Sequence, residues 1–222
     1  MRGAVSAGSR GGAMIARINF SYISAMSAVA VAAFCLGGFA IAQDKPVRVR
    51  GEIVATDGTM MTVKSREGKE LKIKLADNAG IAGIIPISVA QIKPNSYIGV
   101  SAMPEPDGSQ RALHVHIFPE AMRGVAEGHF PWDVQPQSTM TNATVMDTVA
   151  GVDGQTITVR YKDGEKKIVV PKDTPVVTYV PGTMADLKPG AKIFIIAAIP
   201  QPDGSFTAAR VNVGKDGLTP PM

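Results

Sequence analysis

Val54-Ala55-Thr56-Asp57-Gly58-Thr59-Met60-Met61-Thr62-Val63 returns later in the chain as Val149-Ala150-Gly151-Val152-Asp153-Gly154-Gln155-Thr156-Ile157-Thr158-Val159. Asp57, Gly58, Thr62 and Val63 recur 96 residues on as Asp153, Gly154, Thr158 and Val159. Working outward, Gly68 recurs as Gly164, and Ile92-Lys93-Pro94 as Leu187-Lys188-Pro189. Met103-Pro104-Glu105-Pro106-Asp107-Gly108-Ser109 recurs as Ile199-Pro200-Gln201-Pro202-Asp203-Gly204-Ser205, and the offset drifts by only one residue between blocks. The chain is an internal duplication, and the repeat sets its organisation.

Each copy reads as a string of short strands. Residues 48–55 alternate and run into Asp57-Gly58, a hairpin signal because both residue types tolerate positive φ. Residues 59–65, a turn at Glu67-Gly68 and residues 70–75 follow; the second copy repeats the plan at 144–151, 156–161 and 166–170. Later strands are expected at 97–103 and 111–118, matched by 192–199 and 206–213. Between the groups, 87–92 and 184–187 each suit one helical turn, stopped by Pro94 and Pro189. The hydrophobic period is otherwise two, so long helices are not expected after residue 42. Five or six antiparallel strands in about 75 residues suit a small closed or partly closed barrel, since closure hides strand edges.

The first 42 residues stand apart. Arg2, Arg10 and Arg17 precede an apolar run over 23–41, and Ala40-Ile41-Ala42 is a small-x-small cleavage signal before Gln43. This reads as a secretory signal peptide, cleaved after Ala42. Starts at Met1 and at Met14 both stay open, as does retention of the run as an uncleaved anchor. Phe34 before Cys35 argues against lipidation. Without the signal, the three arginines are lost and 20 basic residues face 19 acidic ones. Such a surface lacks the charge for non-specific nucleic-acid binding. Cys35, the only cysteine, goes with the signal, so neither disulfide nor thiolate site is expected. The expected address is the periplasm or the exterior.

The expected division is a signal at 1–42, a β module at 43–118, a folded linker at 119–142, a second β module at 143–214 and a tail at 215–222. At 24 residues the linker is too long for a default connection. Phe118, Met122, Phe130, Trp132 and Val134 predict that it lies folded across the modules.

The succession of an apolar strand after Gly51, Asp57-Gly58, Thr62-Val63, a charged-Gly hairpin, Lys93-Pro94 and Pro106-Asp107-Gly108-Ser109 resembles bacterial exported domains known as domain of unknown function 5666. The likeness covers both repeats and implies an all-β chain of two tandem small OB-like β-barrel modules after an N-terminal signal helix; it implies no activity. The linker also looks like that of small alphaproteobacterial exported proteins sometimes labelled metal ABC transporter permeases. A permease needs several spans and this chain has one apolar run, so that label is not carried over.

All three histidines and the only tryptophan fall in or beside the linker. His114 and His116 are two apart on an expected strand and share a face. With His129, and Glu120, Glu127 or Asp133, they offer imidazoles and carboxylates to Zn²⁺ or Cu²⁺; Met103, Met122 or Met140 would suit Cu(I). The other reading is structural. Arg123 with Glu120, Glu127 and Asp133 forms an ion-pair clamp on the linker, and Trp132 fills the groove between modules. No G-x-S-x-G elbow occurs and no serine has a placed His and Asp, so no nucleophilic enzyme is indicated. The expectation is a non-enzymatic binding or interaction protein of the envelope, without a required cofactor, whose surface is Glu120, Arg123, Glu127, Trp132 and Asp133. Its partner would be an envelope protein or small ligand. The alternative is a periplasmic Zn or Cu protein using His114, His116 and His129.

Overall fold

The computed structural model describes residues 45–222; the segment 1–42, expected to be a signal peptide, lies outside them. The described chain is all-β, with twelve strands: β1 Val47–Asp57, β2 Met60–Ser65, β3 Glu70–Pro86, β4 Tyr97–Pro104, β5 Gln110–Ile117, β6 Gly128–Pro131, β7 Thr139–Gly151, β8 Gly154–Tyr161, β9 Gly164–Pro171, β10 Val176–Pro181, β11 Lys192–Pro200 and β12 Phe206–Gly214. The Asp-Gly hairpin forms as expected, with Gly58 at φ +57 and Asp57 opposite Met60. The two expected helical turns are single 3₁₀ turns at Val89–Gln91 and Met184–Asp186. Ser88 caps the first, and a reciprocal Thr183–Asp186 capping box closes the second.

Five strands close a barrel in the order β1, β2, β3, β12, β11. β3 and β12 run parallel from Ile73↔Phe206 to Ile84↔Gly214, and β11 returns antiparallel to β1. A second ring of five runs β7, β8, β9, β5, β4, its last gap closed by the short parallel contact Gln110↔Ile168 and Arg111↔Val169. Each ring therefore takes three strands from one copy of the repeat and two from the other. One core joins Ile53, Val63 and Ile73 to Ile195 and Val211; the other joins Val100 and Val115 to Val145, Ile157 and Ile168. The expected boundaries 43–118 and 143–214 do not divide the two cores.

The exchange is made by the segments after β3 and β10. Leaving β3, the chain bonds Ile87 N–H to Val176 O and seats Ile92 in the second core. Leaving β10, it bonds Gly190 N–H to Ile53 O and seats Leu187 in the first. β10 then bridges the rings, antiparallel to β3 and parallel to β5. Tyr179 faces Ile84 in that pairing. These two are counterparts in the repeat, each two residues before a proline, so the exchange has the form of a two-fold pair within one chain. The offset between copies drops by one residue between Gly68/Gly164 and Ile92/Leu187 and is regained in β11, where Val49↔Ile195 gives way to Val47↔Ala198 and the extra residue forms a bulge beside Ile196.

A third apolar cluster lies between the rings. Ile84, Trp132, Met140, Val177, Phe194 and Met222 are buried together there, so the tail from residue 215 ends packed in the seam.

Candidate functional site

Alternation along β5 sends Val115 into the second core and turns His114 and His116 outward into the seam. Two rows cross the strands of that face. One runs His114, Ser101, Met140, Phe130; the other runs His116, Gly99, Asn142, Gly128. Gly99 lets the second row close up. A Cβ there would meet His116 Nε2 at 2.1 Å and Asn142 Oδ1 at 2.6 Å. The ring cannot retreat, because it stands edge-on to Phe118 at 4.7 Å and to Tyr179 at 5.8 Å. Gly99→Ala is expected to destabilise the fold by about 1–3 kcal/mol through overpacking. Urea unfolding checks this; an unchanged midpoint would show that the ring yields.

Arg48 and Arg50 of β1, with Phe194 and Ile196 of β11, form the facing wall. Asp133 ties the linker to it. Arg50 grips both carboxylate oxygens, at 2.7 and 3.2 Å, and Arg48 stands at 3.4 Å. Burial pushes the Asp133 carboxyl up, but the Arg50 hydrogen bonds and the two guanidinium charges outweigh it and hold the group below the ordinary carboxylate value. The Arg48 guanidinium lies 4.0 Å over the Trp132 ring, and Arg50 lies 4.9 Å over Phe194. The Trp132 turn is closed by its own N–H to Ser138 O and by the Ser138 hydroxyl to Trp132 O. Trp132 thus sits in the seam, as the sequence led us to expect.

The rest of the linker is fastened separately. Arg123 pairs with Glu120 at 2.6 Å and donates to Asn95 O at 2.8 Å. It does not reach Asp133, and Glu127 makes no ion pair among the described residues. The one expected ion-pair network is therefore two separate clamps. Tyr97 Oη donates to Val125 O, and the Asn142 amide donates to Ala126 O at 3.1 Å, holding the exposed segment 123–127 over the seam. Burial first, then the Glu127 charge, pushes the Tyr97 phenol up to about 12.

The fold does not bring His129 to the other histidines. It lies one residue along from Phe130, on the opposite face of β6, where its Nδ1 bonds Thr141 Oγ1 and its ring stacks on Tyr161. Among the described residues, no three of His, Cys, Asp or Glu are grouped to hold a metal. Burial alone lowers His116 to about 3; burial, then the neighbouring His116 and Arg50, lowers His114 well below the usual range. Both rings are neutral at pH 7.

Under segment 123–127 the seam opens into a pocket of about 270 Å³. Its walls are aromatic, from Phe118, Phe130, Trp132 and Phe194, and its polar lining includes His116 and Asn142. Val125 and Ile196, 43% and 47% exposed, rim it with apolar surface. Six buried side-chain atoms lack a hydrogen-bond partner among the described residues: Ser101 Oγ, both His114 nitrogens, His116 Nδ1, Trp132 Nε1 and Asn142 Oδ1. All six belong to this seam. An unpaired buried polar group costs roughly 1–3 kcal/mol, so such a cluster calls for a reason.

The chain matches no family model, no curated protein and no solved structure. The site must be read from its own chemistry. Gly99, Asn142, Phe194 and Arg50 were not singled out by sequence reasoning. A usable signal lay in the repeat itself, whose copies differ where Gly99 answers to Phe194 and His116 to Asn212.

Proposed function

We propose that the chain is a non-enzymatic binding protein of the bacterial envelope that takes a small, largely apolar ligand in the pocket between its barrels. The observation that carries this reading is a pocket walled by Phe118, Phe130, Trp132 and Phe194 whose lining also includes His116 and Asn142. A concave apolar site with a few convergent polar groups is the usual form of a ligand pocket. Two OB-like barrels with exchanged strands suit the strand order, in which the first strand pairs with the second and fourth and the third with the fifth. That architecture, the turn motifs of both repeats and the basic-then-apolar start favour kinship with the exported domains of unknown function 5666. A nearly balanced charge favours no nucleic-acid partner.

Trp132, the only tryptophan, lines the pocket and reports on it. Titration of the mature protein with small neutral aromatic compounds is expected to change Trp132 emission saturably at sub-millimolar concentration. A full set of such compounds that moves neither the emission nor the melting temperature would refute the reading.

Metal binding is the second reading, favoured by the unpartnered nitrogens of the neighbouring His114 and His116 and by Met140 and Met222, which line the pocket with His116. With His129 on another face, this donor set suits soft Cu(I) better than Zn²⁺. Native mass spectrometry with Zn²⁺ and Cu(I) decides it: no stoichiometric adduct at micromolar metal removes it.

A further inference from the structure

Resting on the pocket reading, we infer that the ligand is an alkyl chain with an anionic head, which takes the place of the tail Leu218–Met222. Met222 is buried and lines two cavities, the aromatic pocket of about 270 Å³ and a second of about 480 Å³. The second is lined by Arg50, Val134 and Ile193 and by Pro220 and Pro221 of the tail itself. Withdrawal of the tail joins the two into one groove. The tail is lightly held. It belongs to no strand, Pro220 and Pro221 have no N–H, and its one backbone bond runs from Leu218 N–H to Lys215 O within its own turn. Its other holds are Arg50 Nε–H to Met222 O, the Tyr179 hydroxyl to Met222 Sδ at 3.8 Å, and packing of Leu218 and Met222 on the seam cluster. Release breaks no ladder, which puts the tail among the elements that open first. The Lys215–Asp186 ion pair keeps the preceding turn in place.

What the tail leaves behind sets the chemistry of its replacement. The Met222 side chain is unbranched and apolar, and its seat among Trp132, Met140 and Phe194 suits an alkyl chain. Arg50 gives its two terminal nitrogens to Asp133 and its Nε to the Met222 carbonyl, so release of the tail frees Nε for another acceptor. Around that point cations are in surplus. Arg50, Lys64, Arg66 and Lys192 line the second cavity against Glu52. Asp133 is already shared by Arg50 and Arg48, and Glu67 stands 3.5 Å from Arg66. Lys64 and Lys192 remain, without an ion pair among the described residues, on either side of Glu52 in the ladders. An anionic head offsets this excess and a cationic one adds to it.

Dodecanoate, dodecyl phosphate, dodecanol and dodecyltrimethylammonium carry the same chain on different heads, and below their aggregation concentrations they are the probes. Calorimetric titration of the full mature chain is expected to rank both anions at least tenfold tighter than the cation and fivefold tighter than the alcohol. A tighter dodecanoate assigns the head to a free fatty acid and a tighter dodecyl phosphate to a phosphorylated lipid; either supports the inference. At saturation with dodecanoate, the Met222 signal in methionine-methyl NMR should move to its solvent-exposed position. A chain ending at Gly217 should bind dodecanoate at least fivefold tighter; Met222→Ser at full length, expected to gain at least twofold, serves if the shortened chain does not fold. Lys64→Gln with Lys192→Gln should shrink the preference for dodecanoate over dodecanol to less than twofold. Dodecanol or dodecyltrimethylammonium binding as tightly as dodecanoate would overturn the inference, and so would a Met222 methyl that stays buried at saturation, while the pocket reading would stand. No dodecyl compound bound by a chain that does bind neutral aromatics would likewise overturn the inference alone. Binding of neither kind would overturn the pocket reading with it.

Discussion

Cleavage of the backbone between Gly124 and Glu127 is expected to leave two fragments that stay together in native buffer and part only when both barrels unfold. The segment is exposed, so a protease site inserted there is accessible. The first fragment carries β1 to β5 and the second β6 to β12. Six ladders join them: β1–β11, β3–β12, β3–β10, β4–β7, β5–β9 and β5–β10. Both closed cores also draw on both fragments. Separation exposes both cores at once, so its rate is an unfolding rate rather than that of a surface contact. Size-exclusion chromatography of the nicked protein across a urea series should show one peak up to the concentration at which Trp132 emission changes. Two peaks in native buffer would mean that each copy closes its own barrel.

Stability is expected to fall steeply below pH 6.5. Both His114 and His116 are buried and held neutral in the folded chain, the latter down to about 3. In the unfolded chain each takes a proton near the ordinary value of about 6.5. Between those values the unfolded state binds more protons, so falling pH favours unfolding, by about 1.4 kcal/mol per pH unit for each histidine. Over the roughly two units from pH 6.5 to 4.5 His116 alone costs about 3 kcal/mol, a large share of the stability of many domains, and His114 adds to it in the same direction. Above pH 6.5 this penalty is absent. Asp133 acts in the same direction at lower pH. Its folded value is depressed, so its contribution is lost as pH falls through that value and the grip of Arg50 is released. Urea midpoints measured from pH 7.5 to 4.5 test the effect, and His114→Phe combined with His116→Leu should flatten most of the slope. A flat profile in the unaltered protein would contradict burial of the two rings.

Two of the failed expectations, residues 76–86 and β10, share one cause. Residues 76–86 were not assigned to a strand, because Ala76-Asp77-Asn78-Ala79-Gly80 has weak strand preference. They extend in the structure because β12 and β10 pair with them from the two sides. β10 itself was missed between Pro175 and Pro181 for a similar reason: its pairing partners, β3 and β5, belong to the other copy. His129 was grouped with His114 and His116 by closeness in sequence, whereas alternation along β6 sends it to the face opposite Phe130.

By itself the sequence determined what is local or periodic. The duplication, the Asp-Gly hairpin, the single helical turns before Lys93-Pro94 and Lys188-Pro189, and the anchoring place of Trp132 follow from turn chemistry, alternation and apolar bulk. Only the tertiary structure decided which copy completes which barrel. A fourth and fifth strand present the same alternating face whether they close their own barrel or the neighbour's, so no local pattern distinguishes the two. The choice is made where Ile92 and Leu187 come to rest, each in the core opposite to the one its chain has just left. That exchange draws β4, β5 and β7 against β1 and β11, and so places His116 and Asn142 in one pocket with Trp132 and Phe194.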